Sequence, residues 1–145
     1  MYVREVMTSR AEWIAPTLPV AEAARKMRDQ KIGCLPVGEN DRLIGMLTDR
    51  DIVCRAVADG SDPATTRTAD VMTKGITYCF EDDTVDAAID QLEAKQIHHI
   101  PVLSRQQKRM IGILSLSDLA LRGPQNLAAR VSQLASRDAR SSATH

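Results

Sequence analysis

The tripeptide Val-Met-Thr occurs at residues 6–8 and again at 71–73, and the 65-residue shift between the two copies governs most of this chain. At that shift Val20 meets Val85, Ala23 meets Ala88, Met27 meets Leu92, Ile32 meets Ile97, and Leu-Pro-Val at 35–37 meets Ile-Pro-Val at 100–102. Past the loops GENDR and SRQQKR the shift becomes 67, so the second copy carries two extra loop residues, where an insertion costs little. In that register Ile44, Gly45, Leu47 and Asp51 align with Ile111, Gly112, Leu114 and Asp118. A chain that repeats itself in this way folds as two copies of one unit.

Each copy opens with a short extended stretch, WIAP or YCFE. A helix-period segment follows, apolar at Val20, Ala23, Ala24 and Met27 in the first copy and at Val85, Ala88, Ile89 and Leu92 in the second. That spacing gives each helix one stripe to bury. Pro19 suits a first-turn position and Asp83 an N-cap. A strand ending in Pro-Val, a polar turn, a second strand (LIGML, MIGIL) and a second helix (DIVCRAVADG, DLALRG) complete the unit, with Gly60 and Gly123 placed to stop the helices. Neither unit alone is large enough to bury both helix stripes and a sheet face. The expected fold is α/β (α+β): two pseudo-twofold-related β-α-β-β-α repeats packed sheet to sheet, with a C-terminal helix. The expected boundaries are 1–60 for the first repeat, 61–68 for a polar linker and 69–123 for the second repeat. Residues 124–145 form an amphipathic helix carrying Leu127, Val131 and Leu134, then a tail that frays from residue 136. This last helix packs on its own chain or on a partner.

Composition excludes several classes of function. Nineteen basic residues balance 19 acidic ones, without the basic excess of a nucleic-acid binder. No run approaches the length of a membrane span or a signal peptide. Three widely spaced cysteines, Cys34, Cys54 and Cys79, form no CxxC pair and fit a reduced, cytoplasmic protein. No nucleophile with its base, phosphate loop or zinc-protease motif is present, so neither an enzyme nor a metal site is expected.

The strings GMLTDRD at 45–51 and GILSLSD at 112–118 carry the chemistry. Thr48 with Asp51, and Ser115 with Asp118, have the form of a helix capping box. The same groups suit a ligand: a hydroxyl donates to phosphate, and a carboxylate accepts from both hydroxyls of a ribose. Gly45 and Gly112 lie inside strands, where glycine marks a close approach by the other repeat or by a ligand.

The duplicated order of EVMT and DVMT, the Leu/Ile-Pro-Val segments and the Gly-x-x-Ser/Thr-x-x-Asp strings resembles a tandem pair of CBS domains, the modules named after cystathionine β-synthase. The resemblance covers residues 3 to about 122. It implies a stand-alone regulatory module, paired as a disc-shaped homodimer, that binds an adenine nucleotide (AMP, ADP or ATP, or another adenosyl ligand) in clefts between its repeats and acts on an unidentified regulated protein. Asp51 and Asp118 would grip ribose, and Thr48 and Ser115 phosphate. His98 and His99 stand where such modules often carry a basic residue facing phosphate, whereas the first copy has Gly33 and Cys34 there. The clefts are therefore unequal, and the histidine-bearing copy is favoured as the binder. Trp13, Tyr78 and Cys79 fall where the family lines its adenine pocket, with core packing the competing role for the aromatics. Arg50 and Arg122 are supplementary cations. Two other readings stand beside this one: an interaction module whose strings only cap helices, and a redox or metal responder using its cysteines and histidines.

Overall fold

A computed structural model of the chain describes residues 1–9 and 12–144, and the backbone alone over 137–144. In chain order its elements are β1 (Thr8–Ser9), α1 (Val20–Gln30), β2 (Cys34–Glu39), β3 (Arg42–Thr48) and α2 (Asp49–Asp51), which runs on as a π-helix over Ile52–Val57. There follow α3 (Thr68–Val71), β4 (Thr73–Lys74), β5 (Cys79–Phe80), α4 (Val85–Lys95), β6 (His99–Leu103), β7 (Met110–Ser115), α5 (Leu116–Arg122) and α6 (Ala128–Thr144). These elements form two compact units: one of Glu12–Ile76, the other of Met1–Ala11 with Thr77–His145. The Glu12–Ile76 unit thus takes in the opening segment of the second repeat, and the other unit the opening segment of the first.

In the Glu12–Ile76 unit, β2 and β3 form an antiparallel hairpin. Asn40 and Asp41 turn it with φ of 53° and 61°, the left-handed pair that a two-residue hairpin needs and that Asn and Asp tolerate. β4 adds antiparallel to β3, and Ile14 bridges parallel to Val37. The core gathers Val20, Ala23 and Met27 from α1 with Leu35, Val37, Leu47, Ala56 and Val71.

The second unit repeats this plan in a four-stranded sheet of order β1-β7-β6-β5, with β5 parallel to β6 where the first unit has only the Ile14 bridge. Its core holds Val85, Ala88, Ile89 and Leu92 of α4, with Val3 and Val6 from the N-terminus. Leu127, Val131 and Leu134 join the same core, so the last helix packs on its own chain. Arg130 reinforces that docking through Asp90 (2.6 Å) and Glu93 (3.0 Å) of α4. The backbone of α6 is helical to Thr144.

Helix starts differ from the sequence expectation in two respects: Pro19, expected in the first turn of α1, stands one residue earlier as its N-cap, and Asp83 is not the cap of α4. The N-cap of α4 is Thr84, whose hydroxyl accepts the Ala87 amide at 3.2 Å. Asp83 instead accepts the Phe80 amide at 2.9 Å and an Arg105 hydrogen bond at 2.9 Å. A carboxylate one residue before a cap can turn back to the preceding strand, and this one does.

Candidate functional site

Each strand-to-helix junction is a complete capping box. The Thr48 hydroxyl accepts the Asp51 amide at 3.1 Å, and Asp51 Oδ2 accepts the Thr48 amide at 3.0 Å. Ser115 and Asp118 exchange the same two bonds at 3.1 and 3.0 Å. Both acids are buried, Asp51 at 8% exposure and Asp118 at 7%. A buried carboxylate is costly unless donors surround it, so the remaining acceptor positions decide what each can do.

The recurring Val-Met-Thr segments supply the next donors. The Thr8 hydroxyl donates to Asp118 Oδ1 at 2.8 Å, while the corresponding Thr73 hydroxyl lies 3.4 Å from both oxygens of Asp51. An arginine four residues after each acid joins them. Arg122 donates to Asp118 Oδ1 at 2.5 Å and to the Val6 carbonyl at 3.0 Å, whereas Arg55 donates to the Met72 carbonyl at 3.1 Å. Asp118 is therefore well supplied with donors, and Asp51 has one hydrogen bond of ordinary length and two at the distance limit. Arg122 is one of the supplementary cations of the sequence; Thr8, Thr73 and Arg55 do not stand out there, although both arginines follow their acid at the same spacing and both threonines lie in the repeated tripeptide.

The two strand glycines have the same cause. A Cβ on Gly45 would stand 2.6 Å from the Thr73 carbonyl oxygen, and one on Gly112 would stand 2.7 Å from that of Thr8. What approaches these glycines is the Val-Met-Thr strand, β4 or β1, within their own compact unit.

Among the remaining site candidates, His99 faces Ser115 across the β6–β7 ladder as Cys34 faces Thr48 across β2–β3. The His98 ring lies against α6, with Nε2 3.3 Å from the Leu134 carbonyl. Over Gly33, its counterpart, sits the Asp49 carboxylate, 2.8 Å from where a Cβ would be. The first repeat thus carries an extra acid where the second carries a histidine. Arg50, in α2, is half-buried. Trp13 lies on Gly38, whose Cβ would meet the indole at 2.5 Å. Tyr78 is exposed and meets Phe80 edge to face at 5.5 Å.

Cys79 is a core residue, 1% exposed. Burial pushes its thiol up to about 12, with Asp83 adding to the shift. The folded protein holds that proton where the unfolded chain, near 9, releases it. Its contribution to stability is full below about pH 9 and is lost as pH rises towards 12. At neutral pH, iodoacetamide followed by peptide mass analysis is expected to modify exposed Cys54 while Cys34 and Cys79 react only after unfolding. Rapid labelling of Cys79 in the native protein would contradict its placement. Among the described residues no three His, Cys, Asp or Glu side chains converge as a metal site.

A duplicated β-α-β-β-α unit with an acid and a hydroxyl at each second helix start is the architecture of a tandem repeat module. The CBS domain family model matches residues 3–57 and 69–122. The chain belongs to the CBS-domain family, whose modules of this kind regulate and do not catalyse. It is 33% identical over 124 residues to hypoxic response protein 1 of Mycobacterium tuberculosis, covering 85% of both chains. A crystal structure of Hypoxic Response Protein I with two coordinated zinc ions matches at a TM-score of 0.74 and 33% identity, covering 86% of this chain and 100% of that one. The CBS domain pair of protein MJ0100, in complex with 5-methylthioadenosine and S-adenosyl-L-methionine, matches at 0.72 and 23% identity, covering 83% and 94%. No helix among the described residues is long and apolar enough to cross a membrane.

Proposed function

We propose that this chain is a sensor of adenosine-containing ligands, AMP, ADP, ATP or a related adenosyl compound, held through ribose by Asp51 and, more weakly, by Asp118. The observation that carries the reading is the unequal donor supply of two equally buried carboxylates. Asp51 keeps acceptor positions that a ribose diol, with two donors, fills. Donor supply thus reverses the order expected from the histidines. Asp49 beside the same helix start adds negative charge, which favours adenosine and AMP over ATP at Asp51. Binding would shift the module between conformations by the ligand's differential affinity for them, and the module would pass that shift to a regulated protein.

A homodimer belongs to the same reading. Val53 and Val57 are 59% and 64% exposed, apolar side chains that a second copy would cover. Native mass spectrometry with adenosine, AMP, S-adenosylmethionine and zinc offered separately tests all of this. The expected spectrum is a dimer carrying an adenosyl ligand; zinc adducts alone would replace the reading with the metal-responder one.

A further inference from the structure

We propose that the N-terminal segment is a strap whose Thr8 hydroxyl competes with ligand for Asp118, so that occupancy of this acid frees β1. The inference rests on the adenosyl reading above. Asp118 Oδ1 receives both the Thr8 hydroxyl and Arg122, and Oδ2 receives the Ser115 amide. An ionised carboxylate offers about four lone-pair positions. Three are taken here and a ribose diol needs two, so one donor must leave.

Chemistry selects which. Arg122 is charged, at 2.5 Å, and also donates to the Val6 carbonyl, so its loss costs most. The Ser115 amide belongs to the helix cap. Thr8 is neutral and exposed, and water replaces its acceptor readily. Without that bond, β1 keeps its short pairing with Ile113 and Gly112 and a long contact, 3.4 Å, from Arg122 to the Thr8 hydroxyl. Val3 and Val6, fully buried in the core, anchor the segment behind it, so release is confined to Met7–Ser9 and does not unfold the unit. Thr73, in the Glu12–Ile76 unit, holds Asp51 only at 3.4 Å and competes little.

The coupling is reciprocal: what loosens the strap tightens the ligand. Calorimetry with adenosine in an Asp51→Asn background reads the Asp118 site alone. There Thr8→Val is expected to tighten binding about three- to tenfold, the net worth of one ordinary hydrogen bond made at an exposed position. Thr8→Ser, which keeps the hydroxyl, is expected to bind as its parent does. In the otherwise wild-type protein, adenosine is expected to speed amide exchange at Met7–Ser9. Adenosine binding with affinity and exchange unchanged, or weakened by Thr8→Val, overturns the strap alone. Absence of adenosine binding in the wild type overturns the adenosyl reading, and the strap with it.

Discussion

Exchanging Asp51 for asparagine is expected to weaken adenosine binding about ten- to a hundredfold, because hydrogen bonds to a charged group contribute about 1.5–3 kcal/mol. The fold should scarcely notice. Asp51 accepts the Thr48 amide through one oxygen, and asparagine keeps an acceptor for that bond. Its amide nitrogen, however, is a donor and cannot receive a ribose hydroxyl. The melting temperature is expected to fall by less than about 5 °C. Calorimetry and thermal unfolding of the same sample separate the two roles of the carboxylate. A pure helix cap predicts no ligand affinity to lose, and stability lowered by about 1 kcal/mol only when Asp51→Ala removes the cap acceptor. If the variant binds adenosine as tightly as the wild type, Asp51 is not the grip.

The second large effect is structural. Alanine at Gly45 must place a Cβ 2.6 Å from the Thr73 carbonyl oxygen and 3.0 Å from the Met72 sulfur. A methionine end can move aside, but a backbone oxygen paired in a sheet cannot without losing the Gly45–Lys74 and Met46–Thr73 register. Gly45→Ala is therefore expected to destabilise the protein by about 1–3 kcal/mol, the usual cost of overpacking. Gly112→Ala, facing the Thr8 oxygen at 2.7 Å and the Met7 sulfur at 2.8 Å, is expected to act likewise on β1. Urea unfolding with linear extrapolation checks both. Wild-type midpoints would mean that neither Val-Met-Thr strand lies against its glycine.

The sequence made the repeat plain, because one offset aligned landmarks that periodicity had already assigned to helix and strand. Capping boxes were legible for the same local reason, their partners lying three residues apart. Gly45 and Gly112 were recognised as points of close approach, but not what approaches them, and the strand involved comes from 28 or more positions away in the chain. The Thr8–Asp118 bond spans 110 positions, beyond any local pattern. In the sequence Val-Met-Thr marks only the repeat. His98 was read from its alignment with Gly33, whereas its ring lies against α6, an element with no counterpart in the first repeat. Where a contact depends on a segment outside the duplication, the duplication cannot announce it.

The central claim is that Asp51 holds the ribose of an adenosyl ligand. A crystal structure of the protein grown with adenosine tests it most directly. The account predicts ribose hydroxyls within hydrogen-bond distance of the Asp51 carboxylate, with Thr48 still capping the helix. Adenosine bound only at other residues, or Asp51 bonded as before with no ligand beside it, would contradict the account.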